Sequence, residues 1–163
     1  MKKIINQIFF ENNNRMSAVF ALLIVSLIIL GCGGKPEMPA DSVTQSLVKT
    51  SINDLADAVD KEDFKAFREK ASADFQSSFT EAQLKTTFQS YIDQKATIVP
   101  LLRKAAGKEL KFSSAPSIRE EKGSYILVAN GNIDLPDEDV KELKFENEWV
   151  WRNGAWKLLK IKI

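Results

Sequence analysis

Residues 143–163 read LKFENEWVWRNGAWKLLKIKI, two runs of alternating apolar and polar residues joined by Asn153-Gly154. Alternation with period two marks half-buried strands, and an Asn-Gly pair suits a two-residue type I′ turn, whose twist matches that of the strands it joins. The turn fixes a register in which Arg152 faces Ala155, Trp151 faces Trp156 and Trp149 faces Leu158. All three tryptophans then share one face with Phe145. In the same register Val150, Leu159, Ile161 and Ile163 fall on the opposite face, among Lys144, Glu146, Glu148 and Lys157. An exposed apolar stripe of that kind needs a cover, which makes a homodimer through those four residues the expectation.

The strand pattern extends upstream. In SYILVANGNIDL, residues 124–135, Tyr125, Leu127, Ala129, Ile133 and Leu135 occupy one face, while Ile126 and Val128 occupy the other. Lys122-Gly123 turns this strand back on a shorter one at 117–120, and Gly131 marks a bulge. Before Gly107 the period changes to that of a helix. Val43, Leu47, Ile52, Leu55, Ala56 and Val59 make a first apolar helix face, with Asp41 or Ser42 as its cap. Asp60 is the expected cap of a second helix carrying Phe64, Phe67 and Ala71, with Asp63 in its first turn. Thr80 and Gln83 form a capping box that opens a third helix with Leu84, Phe88, Tyr91 and Ile92. Pro100 is expected to end or kink whatever follows Ile98. The fold class is therefore α+β: about three N-terminal helices packed on a curved antiparallel sheet of about four strands.

The order of these elements, with DKEDFKAF after the first helix, then FTEAQLKTTFQSYI and a closing NGAWKLLKIKI, resembles the nuclear transport factor 2-like superfamily, also called the SnoaL-like or cystatin-like cone. The resemblance implies that the helices cover the concave face of the sheet. It also implies that the enclosed cone is a ligand pocket, an enzyme site or a filled core, three uses among which a fold does not choose. Phe145, Trp149, Trp151, Trp156 and Tyr125 are the residues that would line it, as pocket or as core.

The N-terminal segment has a different character. SAVFALLIVSLIIL, residues 17–30, carries no charge and follows Lys2, Lys3 and Arg15, the layout of a secretory signal, and it is short for a permanent span. Ile29, Leu30, Gly31 and Cys32 resemble the lipobox of bacterial lipoproteins. The resemblance implies cleavage before Cys32, a thioether bond from its thiol to diacylglycerol and acylation of the new amino terminus. Several acyl chains make a stable anchor where one alone is marginal. Residues 1–31 are thus read as the signal peptide, 32–40 as the lipidated cysteine and a glycine- and proline-rich spacer, and 41–163 as one domain. Gly33 stands where an aspartate often signals inner-membrane retention in that family, so in a diderm host the periplasmic face of the outer membrane is the expected location. Cys32 is the only cysteine, so the domain is expected to fold without disulfides.

Composition excludes more than it assigns. Removing Lys2, Lys3, Arg15 and Glu11 from 23 basic and 22 acidic residues leaves 20 against 21, with no basic stripe for nucleic acid. With no histidine and no second cysteine, Ser-His-Asp and Cys-His catalysis and nitrogen or sulfur metal sites drop out. The cluster Asp134, Asp137, Glu138 and Asp139 lacks calcium-loop spacing and reads as a solvated turn. No metal, cofactor or catalytic residue is assigned. Two functions remain. One is a non-catalytic envelope lipoprotein that binds an apolar small molecule or an envelope protein. The other is a SnoaL-like isomerase or dehydratase using carboxylates and tyrosines, for which Tyr91, Tyr125, Asp93 and Asp134 are the available groups.

Overall fold

The computed structural model describes residues Lys35–Ile163; Cys32 and the segment before it, with the signal and lipobox readings, lie outside the described residues. The domain is α+β, with six helices followed by a five-stranded antiparallel sheet among the described residues. The helices are α1 (Asp41–Lys61), α2 (Lys65–Lys70), α3 (Ala73–Ser78), α4 (Glu81–Thr87), α5 (Gln89–Asp93) and α6 (Lys95–Ala106). The strands are β1 (Lys111–Phe112), β2 (Ser117–Glu121), β3 (Ser124–Asp134), β4 (Glu142–Arg152) and β5 (Ala155–Lys160).

The long first helix follows its apolar periodicity. Val48, Ile52, Leu55, Ala56 and Val59 are buried, whereas Val43 is exposed. Its cap position is Ala40, without a side-chain bond, and not Asp41 or Ser42; Asp41 instead places its charge in the first turn, where the helix dipole favours it. The second expected helix differs more. Asp60 lies within α1, which ends with Glu62 in the left-handed conformation. The Asp63 carboxylate then accepts a hydrogen bond from the Lys65 amide at 2.8 Å. A separate helix, α3, is capped by Ser72, whose hydroxyl accepts from the Phe75 amide. The Thr80–Gln83 capping box is present in full at the start of α4. Pro100 sits inside α6 without ending it. It stands past the first turn, so it removes one ladder bond, and the packing of α6 along α1 holds the helix through that gap.

In the sheet the order is β1-β3-β4-β5, with β2 also paired to β3, so β1 and β2 share one edge of that strand. Lys122-Gly123 and Asn153-Gly154 all have positive φ, as type I′ turns demand. The hairpin pairs Arg152 with Ala155, Trp151 with Trp156 and Trp149 with Leu158, in the register set by the turn. No bulge occurs at Gly131, where the β3–β4 register runs without a break from Ile126–Val150 to Asp134–Glu142. The glycine answers a different need. A Cβ there would lie 2.1 Å from the Lys111 carbonyl oxygen, so β1 can pair with β3 only because Gly131 has no side chain.

The bulge falls instead in β5. The register shifts between Trp149 and Glu148, so that Glu148 faces Lys160 and Leu159 is the extra residue. Beyond it, Glu146 and Lys162 exchange both backbone hydrogen bonds. This shift reverses the facing of everything after Leu159. Ile161 and Ile163 turn inward and pack against the core, and the Tyr91 hydroxyl donates to the Ile163 carbonyl at 2.8 Å. The four-residue stripe of Val150, Leu159, Ile161 and Ile163 is therefore not formed. On the outer face Ile126 and Val150 are cross-strand partners and both buried, flanked in register by Arg119 and Lys157, whose long stems suit them to lie over apolar neighbours. The rest of that face is a ladder of ion pairs. Arg119 meets Glu148 at 2.7 Å, Lys160 bridges Glu146 and Glu148, and Lys162 reaches Glu146 at 3.6 Å.

The bulge accounts for the facing in a way that mutation can check. Deleting Leu159 keeps Lys160 opposite Glu148 and Ile161 inward, so the unfolding free energy should change by no more than about 1 kcal/mol. Ile161→Glu drives a carboxylate into the helix–sheet interface and should cost about 2 kcal/mol or more in chemical denaturation. A surface role for Ile161 would make the second variant as mild as the first.

Proton linkage of the surface pairs has a definite sign. The Lys160 ammonium, through its hydrogen bond and then its charge, holds the Glu146 carboxyl below the ordinary carboxylate range, and Lys95 does the same for Glu62. Lys160 and Lys95 are raised in turn, chiefly by those same hydrogen bonds. A depressed carboxylate contributes stability above its unfolded pKa and loses it as pH falls through the folded value. A raised ammonium contributes below its unfolded pKa and loses it as pH rises through the folded value. Unfolding midpoints measured across pH should therefore be flat between the two ranges and decline below about 4 and above about 10, modestly because the pairs are exposed.

Candidate functional site

A cleft of about 400 Å³ opens between the first half of α1 and the end of the hairpin. Helical spacing brings Val43, Leu47, Thr50, Ser51 and Asp54 of α1 along one wall. Trp149, Trp156 and Leu158, neighbours on the inward face of β4 and β5, form the other, and Phe67 and Ala71 close the end. Trp149 is 2% exposed, so its ring is both core and floor; Trp156 is half-buried and stands at the rim. Trp156 meets Trp151 with ring centroids 5.1 Å apart in an edge-to-face arrangement, which props it upright.

The cleft's frame is tied by polar contacts at its edges. Lys70 bridges to Asp54 at 2.6 Å, linking α2 to α1 beside the opening. The Ser72 amide donates to the Leu158 carbonyl at 2.8 Å, so the helical half caps the free edge of β5. Arg68 donates to the carbonyls of Gln76 and Phe79, at 2.6 and 2.7 Å, and fixes the turn after α3. Arg152 donates to Ser124 at 2.9 Å and to Asp74 at 3.2 Å, joining the hairpin to β3 and to α3. Lys157 lines the cleft and takes part in no ion pair within the described residues.

The residues singled out by the sequence divide. Trp149 and Trp156 line the cleft; Trp151, Phe145 and Tyr125 do not. Phe145 is buried at the other end of the sheet, in edge-to-face contact with Phe112 and beside a second hollow of about 330 Å³ bounded by Gly131 and Ile163. Tyr125 is half-buried on the strand opposite Glu120. The groups available for acid-base chemistry are dispersed. The Tyr91 hydroxyl donates a hydrogen bond to the Ile163 carbonyl, and burial raises its pKa. Asp93 accepts from Gln89 at 2.8 Å, and Asp134 pairs with Lys111. None of these lines the cleft, whose one carboxylate, Asp54, is held by Lys70. In the acidic turn Glu138 pairs with Lys104, and no group of three or more acidic side chains is arranged for a metal among the described residues.

Sequence reasoning missed two buried polar residues on this framework. Asn147 and Thr44 are both 0% exposed, and neither the Asn147 amide atoms nor the Thr44 hydroxyl has a hydrogen-bond partner. Period-two alternation through Phe145 and Trp149 was the signal for Asn147, since it places that amide inward among aromatic residues.

No protein-family model, curated protein or solved structure matches the chain. Among the described residues no helix is long and apolar enough to cross a membrane.

The two wall tryptophans should separate core from rim. Trp149→Ala removes a ring that is almost fully buried although it floors the cleft, and should cost about 3–5 kcal/mol of unfolding free energy. Trp156→Ala, with solvent already on one side, should cost under about 2 kcal/mol in the same denaturant titration.

Proposed function

We propose that this chain is a lipid-anchored envelope protein, tethered through Cys32, whose domain is a non-catalytic binding module for an apolar small molecule. The observation that carries the binding reading is the cleft wall itself. Trp149, Trp156, Leu158, Phe67 and Leu47 present apolar surface to a space of drug-like volume, and the hydroxyls of Ser42, Ser46 and Thr50 with the charges of Asp54, Lys70 and Lys157 stand along the rest of the lining. The arrangement of helices over one face of an antiparallel sheet is compatible with the cone resemblance, in which a ligand pocket is one of the uses of the interior, beside an enzyme site and a filled core. The absence of any converged acid-base pair at the cleft leaves binding as the use that its chemistry supports.

The tether reading rests on the sequence around Cys32. A cleft whose first lining residue, Ser42, lies ten positions beyond that cysteine would sit within about 35 Å of the membrane, at roughly 3.5 Å per extended residue. A sparingly soluble ligand drawn from or returned to the bilayer would then travel a short distance. Gly33 favours the periplasmic face of the outer membrane in a diderm host.

Two measurements test the two halves. Cys32→Ser should abolish fatty-acid labelling and leave an unprocessed precursor, and density fractionation of the wild type should place it with outer membranes. Mass spectrometry of an organic extract of the natively purified chain should find an apolar compound that is depleted at least fivefold from Trp156→Ala. Persistent lipid labelling of the serine variant would remove the tether, and an extract without any apolar compound would remove the ligand.

A further inference from the structure

Charge is distributed unevenly along the cleft. Ser42, Ser46, Thr50 and Asp54 recur at every fourth residue, so they form one ridge of α1 beside the opening, about 18 Å long at roughly 1.5 Å per residue. Only the last of them is charged. Asp54 is held by Lys70 at 2.6 Å, which leaves that pair neutral as a unit.

The remaining charged residue of the lining, Lys157, reaches the same end by another route. The Ser72 amide donates to the Leu158 carbonyl at 2.8 Å, and Lys70 and Lys157 stand just before those two residues on their own segments. That junction brings both lysines and Asp54 to the end closed by Phe67 and Ala71. Two ammonium groups there meet one carboxylate. Lys157 is the surplus: it takes part in no ion pair among the described residues, and it is exposed on β5, the strand at the sheet's edge. The space beside this charged end is walled by Leu47, Trp149, Trp156 and Leu158.

We propose that the cleft's ligand is an anionic amphiphile, an alkyl chain ended by a carboxylate, whose chain lies on Trp149, Trp156 and Leu158 and whose head stays at the mouth beside Lys157. The inference rests on the binding role proposed above and names the ligand's class. The balance of charge selects the head. One negative charge matches the surplus ammonium, whereas an ammonium head would add a third cation, and a doubly charged phosphate would leave an excess anion near Asp54. An alcohol gains no ionic contact at all. Both lysines are exposed, so a carboxylate between them keeps part of its water and escapes the desolvation cost of a buried ion. The same exposure keeps the ionic gain small. Burial of the chain supplies the affinity, and Lys157 supplies the choice of head.

The test uses the full chain in phosphatidylcholine vesicles, read by tryptophan fluorescence. Its three tryptophans all lie in the β4–β5 hairpin, and two of them line the cleft. Decanoate, 1-decanol and decylammonium are titrated at about pH 8, where carboxylates and ammonium groups are both ionised, and each affinity is divided by that compound's partition into protein-free vesicles. Decanoate should then exceed 1-decanol at least threefold, and decylammonium by more. Lys157→Gln should erase that preference. Asp54→Asn, which frees Lys70 and raises the local positive charge, should widen it at least twofold, and this opposite sign is one that a general loss of structure does not produce. Equal or weaker binding of decanoate than of 1-decanol would overturn the proposal while the binding role stands. A preference that Lys157→Gln leaves unchanged, or that Asp54→Asn fails to widen, would overturn it as well. Failure of all three decyl compounds to bind would remove the binding role and this inference together.

Discussion

The lysine spacing in β5 is the constraint on which the domain turns. Lys157 and Lys160 are three residues apart, an odd interval, and no regular strand can put both in water. Without a shift, Lys160 and Lys162 would point among the tryptophans, and two ammonium groups would need burial. One extra residue at Leu159 resolves the conflict. Lys160 then reaches Glu146 and Glu148 and Lys162 reaches Glu146 on the solvent face, while Ile161 and Ile163 complete the inner one. The same shift brings the Ile163 carbonyl to the Tyr91 hydroxyl, so a one-residue irregularity also links the last residue to the helices.

Local regularity was legible where a pattern needs nothing beyond its own neighbours. The two type I′ turns, the tryptophan register and the Thr80 capping box all follow from residues a few positions apart, and all are present. What sequence reading missed depended on tertiary partners. Asp60 has cap chemistry, but α1 continues through it, where Arg103 of α6 meets it at 2.9 Å. Pro100 signals a break, yet the packing of Val99, Leu102 and Ala105 keeps α6 helical around it. Gly131 signals a bulge, whereas its use is the space that it leaves for the Lys111 carbonyl.

The candidate site was half legible for a related reason. Facing along a strand follows from alternation, so the inward direction of Trp149 and Trp156 could be read directly. Depth does not follow from facing. Phe145, Trp149 and Trp151 share a face of β4, yet one packs at the far end, one floors the cleft and one stands beside it. Which ring meets open space depends on where α1 and α2 lie over the sheet, and that is set by contacts such as Lys70–Asp54 and Ser72–Leu158 between segments far apart in sequence.

The two faces of the sheet treat polar groups in opposite ways, and the contrast bears on where function lies. On the solvent face charged side chains are partnered across strands, each pair worth little because water already satisfies them. On the inner face, where a missing partner is costly, Asn147 and Thr44 have none. Selection for stability alone would favour the reverse: apolar residues at 44 and 147 pack without this penalty, as Val48 and Trp149 do beside them. Local departures from the rules of folding concentrate where a protein does something other than fold. In this domain they fall at Thr44 of α1 and Asn147 of β4, each one or two residues along the chain from a residue that lines the cleft, Val43 and Trp149.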